Sequence, residues 1–256
     1  MIAEPPPTLL PPERYVAAVR AETAALVDAA ERAGTGAPVP SCPEWTVSDL
    51  LAHVGRVQNW AATVVERRAT EQIRFRELER PPEDADARIA YVRAGGERLA
   101  DALAGVAPDV ALWTFVTEGT GAGTAGFWQR RQACEAAIHR VDAQLAAGEA
   151  APVDAALAAD GIDELLTVMG PHAFGERVAG EAATLHLHCT DREGEWLVRI
   201  TGDGFEVERA HTKGDVAVRG PASELFLLVH NRRGPEGLEI FGDGSLLGRW
   251  REVARL

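Results

Sequence analysis

A change of hydrophobic period partway along the chain constrains its fold more than any other feature. Up to about residue 147, apolar residues recur at three- and four-residue spacing, the pattern of helices that bury one face. After a Gly- and Pro-containing stretch at 148–152 the pattern becomes short and alternating, as in half-buried strands. Two periods call for two packing arrangements. The expectation is therefore an α+β chain of two domains, a helical bundle over 1–150 and a smaller α+β domain over 151–256. A length of 256 residues suffices for both cores.

Four helices are predicted in the first domain. Residues 12–33 open on prolines and carry Tyr15, Val16, Val19, Leu26 and Val27 at helical spacing. A loop follows at 34–43. Thr46 then starts a second helix, with Asp49 three residues later as a capping box. Its apolar stripe is Leu50, Val54, Val57, Ala61 and Val64, and His53 lies beside that stripe. The charged stretch 66–86 reads as an exposed connection, and 87–103 and 127–147 read as the third and fourth helices. The interior of such a bundle is a usual place for a metal site. Past the hinge, 154–169 reads as a helix, 184–190 and 196–200 as paired strands, 205–210 and 216–219 as further strands, and 221–231 as a helix with Pro at its start.

The formal net charge of -13 argues against a phosphate-backbone partner and against an anionic membrane surface. No apolar run reaches the length of a membrane span, and the N-terminal residues lack the basic start and apolar core of a signal peptide. The expected location is the cytoplasm. Cys42, Cys134 and Cys189 are scattered and odd in number, which speaks against a disulfide framework or a Cys-rich zinc site. Lys213 is the only lysine while Arg and Ala abound, the bias of a high-GC genome such as an actinobacterial one.

Glu135 and His139 are four residues apart, so they project from one face of the fourth helix. If His53 faces them across the bundle, two imidazoles and a carboxylate converge. That set suits a divalent metal, zinc above all, with one coordination position open. The structural alternative is an ordinary pair between Glu135 and Arg131 one turn back, with His139 simply packed. Asp142, one turn beyond His139, is placed to orient a ligand imidazole or handle a proton. Arg131 belongs to the same polar stripe and is the candidate cofactor-binding residue.

Residues 121–126 match G-x-G-x-x-G, and 112–116 before them has the composition of a strand. The required second parallel strand is missing from the pattern, so a loop entering helix four is the expectation. His186 and His188 alternate on a predicted strand and share one face. With Leu185 and Leu187 packed inward they would face solvent, and no third ligand is evident near them. There is no G-x-S-x-G elbow. Cys134 points about 100° away from Glu135 on the helix, as a packing residue would.

The stretch from Val39 through Cys42, Trp45, Asp49 and His53 to Val54, together with the E-x-x-x-H-R-x-D core at 135–142, resembles the mycothiol-dependent maleylpyruvate isomerase family. Thr190, Asp191, Trp196 and the run 224–232 are similar to landmarks of that family's C-terminal part. The resemblance implies a DinB-like metal-binding four-helix bundle followed by a sterol-carrier-like α+β domain. It implies zinc, or another divalent metal, on His53, Glu135 and His139, with Asp142 as the functional aspartate. Its functional arginine falls on Arg232, beside Arg233, and is expected to reach the metal pocket from the second domain. The implied partners are mycothiol and a small electrophile, not nucleic acid or membrane. The implied activity is isomerisation of maleylpyruvate-like cis-enediones or thiol S-transfer. A non-catalytic, metal-stabilised binding or regulatory protein is the alternative, and oligomeric state is left open.

Overall fold

The computed structural model describes residues 8–149 and 151–253. The N-terminal residues 1–7 and Ala150 of the hinge lie outside the described residues. The chain divides into two compact units. One comprises Pro11–Thr117 and Gly121–Ala151; the described residues of the other are 8–10, 118–120 and 152–253.

The first unit is a four-helix bundle of α1 (Pro12–Ala33), α2 (Val47–Glu66), α3 (Ala85–Ala104) and α4 (Ala125–Ala146). Each helix packs against at least two others. Helix α2 starts where the sequence places it. Thr46 and Asp49 cap each other's backbone N–H groups, satisfying donors that a helix start otherwise leaves unpaired. Leu26, Val27, Val47, Leu50, Leu51, Val54 and Val92 share one core cluster, and each such buried side chain is worth about 1.5–3 kcal/mol. Gly96 permits a close approach of α3 to α1: a Cβ there would meet Thr23 Cγ2 at 2.6 Å.

Helix α4 is buried almost all round although it carries many polar residues. It tolerates this because they have internal partners. Gln129 donates to Leu103 O and Val106 O, both at 3.1 Å, and Arg140 donates to Glu22 Oε2, Gln144 Oε1 and Ala151 O, each at 2.7 Å. The connection between α2 and α3 is mostly exposed. It includes a short 3-10 turn at Phe75–Glu77 and the buried Ile73, whose carbonyl accepts from the Trp60 indole at 2.7 Å.

Residues 112–116 form no strand, in keeping with the loop expected to enter helix four; an isolated bridge joins Ala111 and Thr124. The glycine-rich run folds back on its own loop. Gly123 N donates to Thr114 Oγ1, Ala125 N to Val110 O and Gly126 N to Pro108 O, each at 2.8 Å. Those amides are spent inside the loop, as in a turn that enters helix four.

In the second unit, α5 (Ala155–Glu164) is capped by Asp154. The single helix expected over 154–169 is interrupted. A π-helical turn at Leu165–Met169 leads into α6 (Gly170–Val178), which sequence periodicity missed. The sheet has the order β3-β2-β1-β4-β5, from β1 (Ala183–Cys189), β2 (Glu195–Thr201), β3 (Gly204–Glu208), β4 (Val216–Gly220) and β5 (Glu239–Gly242). Strands β1 and β4 run parallel and the other neighbours antiparallel. Two further helices, α7 (Ala222–Val229) and α8 (Ser245–Val253), complete the unit. Asp163 is fully buried, accepting from the Trp196 indole at 3.0 Å and from both Arg209 Nε and Nη2, at 2.5 and 2.9 Å. No helix of the described residues is long and apolar enough to cross a membrane, and no disulfide joins the three cysteines.

Candidate metal centre

Glu135 and His139 stand one turn apart on α4, and α2 brings His53 to them. His53 Nε2 lies 3.2 Å from Glu135 Oε1, and His139 Nε2 lies 3.1 Å from the same oxygen. The two imidazole rings are 4.9 Å apart, edge to face. All three donor atoms fall within 4.8 Å of one another. A tetrahedral centre with bonds of about 2.0–2.1 Å has donor–donor edges of about 3.3–3.4 Å. The two histidine-to-glutamate separations are close to those edges, and the third lies within 4.8 Å, so the set is of a size to surround a zinc-sized ion.

The outer atoms of these side chains are held elsewhere. His139 Nδ1 is 2.8 Å from Asp142 Oδ2, which leaves Nε2 as the atom facing Glu135. Asp142 is fully buried, and its other oxygen accepts from Ser41 Oγ at 2.5 Å. Arg131 Nη2 donates to Glu135 Oε2 at 2.5 Å. The Glu135–Arg131 pair foreseen as the structural alternative is thus present, but it uses the other carboxylate oxygen and leaves Oε1 to the histidines. His53 is the open side of the set, with its side chain 36% exposed.

Ser41 and Trp45 were not singled out for a role by the sequence reading. Trp45 lies with its ring centroid 5.0 Å from His53 and 6.3 Å from His139, walling both imidazoles. The loop carrying the two residues is tied down by its own backbone: Val39 N donates to Trp45 O at 2.9 Å, Trp45 N to Cys42 O at 2.8 Å and Val47 N to Ala37 O at 2.9 Å. Their clue was position. Both lie in the stretch just before α2 that carries the family resemblance.

Burial opposes charge on Glu135, but the Arg131 guanidinium and the His139 ring beside it hold its carboxyl well below the ordinary range. Burial likewise disfavours a charged His139; the Glu135 and Asp142 carboxylates overcome that and push it up to about 9. Without a cation, a proton on His139 balances the cluster. A metal ion would take over that balancing charge.

In the second unit, Arg232 follows a C-terminal cap of α7. Asn231 adopts φ 61°, Asn231 N donates to Leu228 O at 3.0 Å and Arg232 N to Leu227 O at 2.8 Å, a Schellman arrangement. Asn takes the place that Gly usually fills there. Arg232 Nη1 donates to His230 O at 2.8 Å, while the neighbouring Arg233 pairs with Glu224.

Leu185 and Leu187 are buried as expected and His186 and His188 take the other face, but the expectation of no further ligand near them needs correction. His186 is 6% exposed, and both rings face Glu195, which also contacts His211. A third and a fourth potential ligand are therefore close by. Cys134 is fully buried, as a packing residue should be. Burial, followed by the Asp191 charge, pushes the Cys189 thiol up to about 12, which makes it inert.

A four-helix bundle with an inward two-histidine, one-glutamate set, joined to a small α+β unit, defines a two-domain protein with a candidate metal centre. Residues 16–144 match the mycothiol maleylpyruvate isomerase N-terminal domain, and residues 156–249 match the MDMPI C-terminal domain. The chain belongs to the mycothiol maleylpyruvate isomerase family. Two crystal structures of mycothiol-dependent maleylpyruvate isomerase, one of them a histidine-to-alanine mutant, are similar in fold. Each gives a TM-score of 0.57 at 19% identity over 90% of this chain and 93% of theirs. No curated protein matches the chain.

Proposed function

We propose that the chain is a zinc- and mycothiol-dependent enzyme that isomerises maleylpyruvate-like cis-enediones or transfers the thiol to a related electrophile. One observation carries the reading: His53 Nε2 and His139 Nε2 lie 3.2 and 3.1 Å from Glu135 Oε1, while Arg131 binds the other carboxylate oxygen. Family membership supports the thiol and the isomerase reaction. These three residues would hold the metal. When bound, it supplies a Lewis-acidic position that lowers the pKa of an incoming thiol.

The chain's own residues do the rest. Asp142, braced by Ser41, orients His139; Arg131 fixes Glu135; Trp45 keeps water from one side of the imidazoles. In the reaction, the thiolate sulfur bonds to one alkene carbon and the double-bond electrons move onto the conjugated carbonyl oxygen as an enolate. The former double bond rotates as a single bond. Loss of the same thiolate then restores the alkene in trans geometry, so the thiol is regenerated. Arg232 is the residue proposed to hold the substrate's carboxylate or enolate oxygen with a forked pair of donors.

The test is conversion of a cis-enedione acid by the purified chain with and without mycothiol and zinc. Turnover requiring both is expected. Arg232→Lys, which keeps charge but loses the fork, should lower kcat/KM and leave metal content unchanged. A zinc-loaded chain that neither isomerises nor consumes the thiol with any such electrophile would contradict the proposal.

A further inference from the structure

The sheet unit carries a second cluster of histidines around a glutamate, independent of the bundle. His186 and His188 sit on β1, Glu195 opens β2 opposite His188, and His211 returns from the loop between β3 and β4. Three of the chain's seven histidines thereby meet at one carboxylate. His211 Nδ1 lies 2.6 Å and His186 Nε2 3.2 Å from Glu195 Oε2, and His188 Nδ1 lies 3.4 Å from Oε1.

The three rings stand edge to face around that carboxylate. Their centroids are 6.1, 6.1 and 5.9 Å apart, nearly an equilateral triangle, and their planes are inclined at 81°, 83° and 76°. Imidazoles that converge on one ion present their nitrogens to it while the rings splay apart. Donor atoms of His188, Glu195 and His211 all lie within 4.8 Å of one another. The cluster borders a cleft of about 520 Å³, so an ion can enter.

We infer that His188, Glu195 and His211 form a second divalent transition-metal site, with His186 as an adjacent fourth donor. The ligand set favours zinc, nickel, copper or cobalt over magnesium or calcium, which need several oxygens. Lys213 and Arg219 line the same cleft. Their positive charge further disfavours cations held mainly by charge, and leaves those that gain from imidazole bonding. Occupancy asks for a small adjustment. His211, with its side chain 81% exposed on a loop, must withdraw by about 0.7–0.8 Å from its 2.6 Å contact with Glu195 to reach the edge of about 3.3–3.4 Å that a tetrahedral ion sets.

The test is zinc titration of untagged, full-length protein by calorimetry, with bound metal counted by elemental analysis. The variants are His53→Ala, His211→Ala and the double variant. His211 is an exposed loop residue, so its replacement leaves the fold intact; circular dichroism checks that. His53→Ala should retain about one equivalent, and the double variant should bind none with comparable affinity. His211→Ala should weaken the sheet site at least as much as the roughly 10–100-fold caused by losing an outer partner of a ligand. Failure of the bundle site would appear separately, as a wild type with one equivalent that survives His53→Ala and is lost with His211→Ala. The inference is overturned if His53→Ala binds no metal, or if His211→Ala leaves both stoichiometry and affinity unchanged.

Discussion

His53, Glu135 and His139 stand on two packed helices, whereas His188, Glu195 and His211 stand on two strands and a loop. The residue types are the same, but the mounting differs. In the bundle, Asp142 faces the back of His139, Arg131 holds the second oxygen of Glu135, and Ser41 braces Asp142. In the sheet, both oxygens of Glu195 are already taken by histidines and His211 is largely exposed. The difference teaches that ligand identity selects the class of metal while the surrounding hydrogen bonds set how little the site must rearrange to bind it. On that reading, the proposed bundle site is preorganised and the proposed sheet site adaptable.

The largest effect should come from removing the ligand that both bundle histidines face. Glu135→Ala should weaken zinc at that site and reduce activity by at least about 100-fold, more than loss of any outer partner. It should leave the sheet site untouched, as a titration would show. Equal loss at both sites would erase the distinction between them.

Asp142→Asn comes next. It keeps the volume but removes the charge that orients His139, so zinc affinity in the bundle should fall about 10–100-fold. Calorimetry checks this. An unchanged affinity would mean that the bundle site owes nothing to its outer hydrogen bonds.

A proton count sharpens the comparison further. With its pKa at about 9, His139 is protonated at pH 7 in the metal-free chain. Zinc should therefore displace close to one proton there, and affinity should climb with pH up to about 9. Titrations in buffers of different ionisation enthalpy would count it. The same shift bears on stability. The raised His139 contributes fully below the ordinary imidazole value of about 6.5, and that contribution is lost as pH rises through about 9. The Tm of the metal-free chain should fall across that window. Around Glu195, burial pushes His186 down instead.

The smallest effects are local. Ser41→Ala removes a hydrogen bond to a buried carboxylate and should cost about 1.5–3 kcal/mol. Asn231→Ala keeps a β-carbon in the left-handed region but loses the short polar side chain that tolerates it and donates to Arg251 O, and should cost about 1–2 kcal/mol; Asn231→Gly loses the same bond but relieves the backbone and should cost less. Denaturant melts measure both.

Much of the helical unit was legible because its cues are local. Prolines open α1, a capping box opens α2, and apolar residues recur with the helical period. Glu135 and His139 were legible as a pair because four residues make about one turn. Their convergence with His53 was conditional on how the helices pack, and the family resemblance strengthened it. The sheet unit was less legible. A π-helical turn leaves no hydrophobic period of its own, so α6 was hidden behind Leu165–Met169. Strand β5 is only Glu239–Gly242 and exposed throughout, without the alternation that marks a half-buried strand. Helix α8 did leave a signal in Leu246, Leu247 and Trp250 at helical spacing after Asp243, which accepts from Ser245 N at 3.0 Å. Glu195 and His211 could not be linked to His186 and His188 from sequence, since their meeting depends on the β1–β2 register and on the path of the β3–β4 loop.

Zinc-edge anomalous diffraction from crystals of the untagged protein tests the central claim most directly. The account predicts a peak within about 2.0–2.2 Å of His53 Nε2, Glu135 Oε1 and His139 Nε2, and its loss in His139→Ala crystals. Zinc-soaked crystals with no peak at those three atoms, or with a peak that persists in the variant, would contradict it.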